Sequence, residues 1–247
     1  MKRLLISTCL AILFANVVIA QKKEARPVNK FADITAGFGS SQVSAALAYV
    51  YNWKLGKRKK WETGFGARFT GYFGNNLYFK TAPAKLTSGK TGPAVLFADD
   101  IKPNIDSVLF PKAQVNALNI SLNFGYNFTK KFSLGFNIDA IGFSFGKKQT
   151  GIYYGNNFAT GVAVTARPTD FNLLLISDND KGSLNSELFA KYKWNNAWGI
   201  KLAFEFLFAE YTTTTQVQTT PGGDKNDRFR KKMAGGGIGV TYNFMKN

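Results

Sequence analysis

The chain reads as an all-β protein, an antiparallel up-and-down transmembrane β-barrel of eight strands, or ten if a loop hairpin joins the wall. Three observations predict this. First, residues 184–211 alternate cleanly on either side of a tight Asn195-Asn196 turn. Leu188, Ala190, Tyr192 and Trp194 share one parity, and Glu187, Phe189, Lys191 and Lys193 the other. After the turn Trp198, Ile200, Leu202, Phe204 and Phe206 oppose Lys201, Ala203, Glu205 and Leu207. Strands send successive side chains to opposite faces, so each run has one fatty face and one small or polar face. Second, short connections (54–60, 129–131, 195–197) alternate with long ones (74–116, 147–183, 212–230), which places all the long loops at one end. Third, Trp53, Trp61, Trp194 and Trp198 all flank short turns, as an interfacial aromatic girdle would.

Residues 1–20 carry Lys2 and Arg3, an apolar run from Leu4 to Phe14, and the small-residue site Val18-Ile19-Ala20. This is the layout of a cleaved secretory signal peptide. A polar leader follows over 21–30, and the barrel is expected over 31–247. Cys9 lies within the signal, and the chain contains no His. That excludes Ser-His-Asp triads, Cys-His pairs and His-ligated zinc, so no enzyme, metal site or cofactor is expected. The formal charge is +17, of which +15 remains beyond the signal. Export turns this charge away from nucleic acid and toward anionic headgroups or lipopolysaccharide phosphates.

Along the mature chain, Ile34, Ala36 and Phe38 are the outward candidates of the first strand. Val43, Ala45, Leu47, Tyr49 and Trp53 face outward on the second, and Trp61, Phe65, Phe69 and Phe73 on the third. Leu118, Ile120, Leu122 and Phe124 continue the fatty face, followed by Phe132, Leu134, Phe136 and Ile138. There the parity slips to Ile141, Phe143 and Phe145, and a β-bulge is predicted to keep them outside. Within 147–183, segments 161–166 and 171–176 could form an extra hairpin. In the last strand, over 233–244, Ile238, Val240, Tyr242 and Phe244 face outward. Short turns on one side and long loops on the other are the arrangement of a Gram-negative outer-membrane protein.

The layout over the mature chain resembles the small OmpA/OmpX-type outer-membrane barrels, particularly those of Bacteroidota-like bacteria. The ending Gly239-Val240-Thr241-Tyr242-Asn243-Phe244 resembles a C-terminal signal read by the barrel-insertion machinery, with Tyr242 and Phe244 as its aromatics; Met245-Lys246-Asn247 follow it. The resemblance implies an architecture and no activity.

The inward charges Arg68, Asp139, Glu187, Lys191, Lys201 and Glu205 are the candidate lumen network. Four of them, Arg68, Asp139, Glu187 and Glu205, lie seven residues from a rim aromatic and so near one depth. In so narrow a lumen they either plug the barrel as ion pairs or form a selectivity gate. Glu187 and Glu205 could suggest glycosidase chemistry, but a plugged lumen admits no sugar chain. Asp178-Asn179-Asp180 has a faint calcium-loop look without the ligand series. Lys147, Lys148, Arg228, Arg230, Lys231 and Lys232 are candidate phosphate donors. The expected role is structural or surface-binding through the three long loops, with a small passive pore as the alternative; no extracellular ligand is identified.

Overall fold

The computed structural model describes residues 27–155, 160–175 and 179–244. The expected signal peptide therefore lies outside the described residues, as do most of the polar leader and the last three residues. Thirteen strands are present among the described residues, and all the pairings between them are antiparallel.

Eight strands close a ring. They are β1 (Val28–Gly39), β2 (Gln42–Leu55), β3 (Trp61–Thr81), β4 (Ser107–Asn127), β5 (Phe132–Phe145), β9 (Leu184–Lys193), β10 (Trp198–Thr213) and β13 (Arg228–Asn243). Each pairs with the next, and β13 returns to β1 with Phe31 opposite Asn243 and Phe38 opposite Gly236. Closure leaves no unpaired edge along this part of the wall. The alternation has the expected sense: Ile34, Leu47, Phe65, Leu122, Phe136, Leu188, Leu202 and Ile238 are exposed on the outside. Asp33, Arg68, Asn123, Asp139, Glu187, Lys201 and Thr241 are buried inside. The predicted bulge occurs where the register shifts between Ile120 and Ser121, opposite Ile141 and Asp139, and Ile141, Phe143 and Phe145 remain outside.

Two predicted long loops are shorter than the alternation suggested. β3 continues to Thr81 and β4 begins at Ser107, so the first loop is 82–106 rather than 74–116. It contains a short helix, α1 (Ala84–Ser88), and two 3₁₀ turns, Gly92–Phe97 and Lys102–Asn104. β10 and β13 likewise extend into the predicted 212–230 loop, which keeps only a small hairpin, β11 (Gln218–Thr219) and β12 (Lys225–Asn226).

These extensions form a second, narrower ring. Above the β1–β2 tip, β13 pairs directly with β3 (Phe229 opposite Thr81, Arg230 opposite Lys80). On the far side β6 (Gln149–Tyr154) and β7 (Val162–Pro168) enter between β4 and β10. The upper circuit is thus β3-β4-β6-β7-β10-β13, six strands. The extra hairpin predicted from 161–166 and 171–176 does not form: β7 pairs with β6, and β8 (Phe171–Leu173) pairs with β5. The β6–β7 hairpin that forms instead joins the upper wall and adds no strand to the lower ring.

The two rings are built on opposite principles. In β3 the buried residues are Arg68, Thr70 and Tyr72 below and Leu77, Phe79 and Thr81 above, so the parity flips around Asn75-Asn76. β4 flips with it at Pro111-Lys112 while the overall register is kept. Asn76 has positive φ (52°), and Pro111 has no N–H to offer it. Above the flip the interior is apolar, packed with Leu77, Phe79, Val108, Phe110, Tyr211 and Phe229. The rings of Phe110 and Tyr211 stack at 4.6 Å, and Phe79 meets Phe110 edge-on at 5.2 Å.

Where β5 leaves β4 and β6 has not yet joined, the Gln114 backbone would lose its partners. The Tyr211 hydroxyl replaces them, donating to Gln114 O and accepting from Gln114 N, both at 2.9 Å. Tyr211→Phe should therefore leave backbone groups unpaired and cost about 1–3 kcal/mol of unfolding free energy, read from the urea midpoint.

Candidate functional site

The lumen of the lower ring is filled by a continuous polar network to which the strands of the wall contribute in turn. Arg68, from β3, is its hub. Its guanidinium donates from Nε to Asp139 Oδ1 at 2.9 Å and from Nη1 to Asn137 Oδ1 at 2.5 Å, and it reaches Glu187 Oε2 at 3.2 Å. A further bond goes from Nη2 to the Asn185 carbonyl. The Arg68 and Asp139 side chains are 1% and 0% exposed. Planar fork geometry lets one arginine serve several acceptors at once, which a lysine could not do.

The network then runs toward the short-turn end. Lys201 donates to both Glu187 oxygens at 3.1 and 3.0 Å and lies 3.5 Å from Asp33; Lys191 donates to Asp33 at 2.8 and 3.0 Å. The Lys191 ammonium also sits 3.4 Å from the centre of the Phe31 ring. On the other side Glu205 accepts from two neutral donors, Ser44 Oγ at 2.7 Å and Asn185 Nδ2 at 2.5 Å. Gly37 is required beneath it, because a Cβ there would fall 1.6 Å from the Glu205 carboxylate. Asn119 and the Asn185 N–H complete Asp139. At the rim Glu62 accepts from Asn29, Asn52 and Asn127.

Of the six residues predicted for the lumen, Arg68, Asp139, Glu187, Lys191 and Lys201 share one chain of ion pairs. Glu205 is held beside it by its neutral donors. Asp33 was missed, although it joins the two lysines; its signal was its parity, opposite Ile34, Ala36 and Phe38. The buried set then holds four carboxylates and three cations, balanced to within one charge. Such a set is stable only because every charge has a hydrogen-bonded partner.

Chemically, this arrangement closes the barrel. Glu187 and Glu205 face each other across β9 and β10, but both are buried and fully engaged, which leaves no room for a glycosidic substrate. The apolar interior of the upper ring then seals the lumen a second time. Between the two lies a cavity of only about 10 Å³, bordered by Thr70, Asn119, Asp139 and Asn185.

All four Trp lie at the short-turn end. Trp61, Trp194 and Trp198 are exposed and Trp53 is half-buried. Trp61 packs on Tyr126 at 4.7 Å, Trp53 on Phe65 at 5.7 Å and Trp198 on Tyr242 at 4.8 Å. Tyr242 in turn meets Phe244 at 5.2 Å.

The predicted phosphate donors divide. Arg228 and Arg230 point at Glu210, which is completely buried on the outside of the upper ring: Arg228 Nε is 2.7 Å from Oε1 and Arg230 Nη2 is 2.8 Å from Oε2. Both guanidiniums also donate to the Asp180 carbonyl, so they fasten segment 179–183 to the wall. This corrects their assignment as free phosphate donors. Two guanidiniums beside Asp180 also oppose a calcium site there, while Asp178 lies outside the described residues.

No protein-family model matches the chain, and no curated protein matches it. Among solved structures, a major outer membrane protein from Thermus thermophilus aligns with a TM-score of 0.38 and 13% identity, over 88% of this chain and 99% of its own. Ail, the attachment invasion locus protein of Yersinia pestis, solved with the heparin analogue sucrose octasulfate, gives 0.35 and 8%, over 89% and 100%. A de novo designed transmembrane β-barrel gives 0.34 and 8%, over 90% and 100%. At these values the fold rests on the strand pairings of the chain itself.

Proposed function

We propose that the chain is an integral outer-membrane β-barrel of eight spanning strands, with a structural or surface-binding role served by its extracellular ring and loops. The observation that carries this reading is the inverted burial of the lower ring: apolar side chains face outward all round, and the charges face inward. Water offers no reason to expose Leu47, Leu122, Phe136, Leu202 and Phe204 together on one continuous surface; hydrocarbon does. The Trp residues at the short-turn rim fit the inner interface, and Tyr242 and Phe244 fit a signal for the barrel-insertion machinery. The passive-pore alternative would need an open path, and the ionic and apolar layers both stand across it. No enzymatic role is proposed.

Membrane fractionation with boiled and unboiled gel migration tests the reading. Recovery in the membrane with a heat-dependent mobility shift is expected, together with no steady single-channel current in planar bilayers. Recovery in the soluble periplasm would overturn it. A sharper check uses the outward residue Leu202, four positions above Trp198. Leu202→Arg should cost about 2–4 kcal/mol of stability in vesicles, as a charge near the bilayer midplane does. Ala163→Arg, on the exposed face of β7, should stay within about 0.5 kcal/mol of wild type.

A further inference from the structure

The polar lumen of the lower ring ends against the apolar interior of the upper one, and at that junction the hydrogen bonding does not close within the protein. Among the described residues, two buried side-chain oxygens without a protein partner, Thr70 Oγ1 and Asn185 Oδ1, belong to residues that border the same cavity of about 10 Å³. Thr70 is 3% exposed and Asn185 2%. They come from different walls, β3 and β9, and their surroundings limit where each oxygen can turn. Thr70 lies opposite Ala46 on β2 and Ala117 on β4, which offer only methyl groups along its own wall. The rest of Asn185 is engaged: its N–H donates to Asp139, its carbonyl accepts from Arg68 and its Nδ2 donates to Glu205. Only Oδ1 remains.

Neighbouring polar groups do not supply the missing bonds. Asp139 already accepts from Arg68, Asn119 and the Asn185 N–H, and Asn119 Oδ1 accepts from Asn172. Tyr72, Val115 and Leu207, all buried, close the cavity on its apolar side. Buried polar atoms in folded proteins are paired with protein or with ordered water, because leaving them unpaired forfeits their hydration. About 10–15 Å³ of accessible space suffices for a single water, given a few polar groups around it.

We propose that this cavity is a hydration site for one ordered water, which donates to Asn185 Oδ1 and accepts the proton of the Thr70 hydroxyl. Ser183, on the same cavity, is its third polar neighbour. Water suits the site better than a cation does. The Arg68 guanidinium lies two residues below Thr70, and the one carboxylate on the cavity, Asp139, is already paired with it. The water ties β3 to β9 at the last polar level before Tyr72 and Leu207, so the network ends on satisfied groups where the apolar packing begins. The site depends on the interior of the barrel alone, and it stands whether hydrocarbon or water surrounds the wall.

The test is a crystal structure of the purified protein, at a resolution that shows ordered water, for wild type, T70S and T70V. Wild type and T70S should each show one density peak at about 2.7–3.2 Å from the residue-70 hydroxyl and from Asn185 Oδ1. T70V keeps the shape of the side chain without its hydroxyl, and the peak should be lost. A second readout is the nuclear Overhauser effect between water and the Asn185 side-chain amide, measured on the protein in nanodiscs. It should be present in wild type and T70S and absent in T70V. If T70V does not fold, wild type and T70S decide the matter. An empty cavity in wild type, or a direct Thr70–Asn185 hydrogen bond, would overturn the site. A peak with contacts of about 2.3–2.6 Å would overturn water in favour of a cation. A peak that persists unchanged in T70V would remove Thr70 as its partner and overturn the site as drawn.

Discussion

Arg68→Ala should lower the unfolding free energy of the vesicle-inserted protein by about 3–5 kcal/mol, the usual cost of stripping one partner from a buried ion cluster. The substitution leaves Asp139 and Glu187 buried without the guanidinium between them, and Asn137 and the Asn185 carbonyl each lose a donor. Arg68→Lys should recover only part of the loss, because a single ammonium cannot reproduce bonds fanned over four acceptors. A urea titration followed by tryptophan fluorescence reads the effect, with all four Trp near the short-turn rim as reporters. A midpoint within error of wild type would mean that the network contributes nothing to stability. The variant should still pass no current, since the Phe79–Phe110–Tyr211 layer lies above the vacated space. Steady conductance would instead favour Arg68 as a gate.

Phe110→Ala should cost a comparable amount, about 3–5 kcal/mol, by opening a cavity in a fully packed aromatic cluster. Phe110 is completely buried, stacks on Tyr211 and takes the edge of Phe79. The distinguishing feature is where the loss appears. Protease sites in 82–106 and 214–227 should become more accessible, because those loops are anchored on the upper ring. The outward apolar face of the lower ring and the ion network inside it should keep their protection. Equal loosening of both ends would show that the two rings unfold as one unit.

The lower ring was legible because its strands largely keep one rule, fatty outside and small, polar or charged inside, with Phe31, Val50 and Phe189 as buried apolar exceptions. Arg68, Asp139, Glu187, Lys191 and Lys201 could be grouped from parity alone, and the slip at Ile141 could be resolved as a bulge. Asp33 escaped because Phe31, Thr35 and Gly37 share its parity, so that face does not stand out as polar. The upper ring was not legible for a different reason. Its interior is apolar and its parity inverts at Asn75-Asn76 and Pro111-Lys112, so a reader following the lower rule sees the pattern end there. Pro111 adds to the impression, since proline in a run argues against a strand. Nor does alternation reveal partners: nothing in the chain before folding shows that β13 abandons β1 for β3, or that Arg228 and Arg230 converge on Glu210.

Because β3, β4, β10 and β13 pass without interruption from one ring into the other, the tips of the molecule are carried on a stiff mast instead of a tether. Thr81 lies eight residues beyond Phe73, which at about 3.3 Å per residue and a tilt of about 40° lifts it roughly 20 Å. On the proposed outer-membrane reading, Phe97, 91% exposed within 82–106, is therefore carried at a stand-off from the bilayer. On that same reading, a macromolecule approaching from outside would meet this aromatic ahead of the lipid surface.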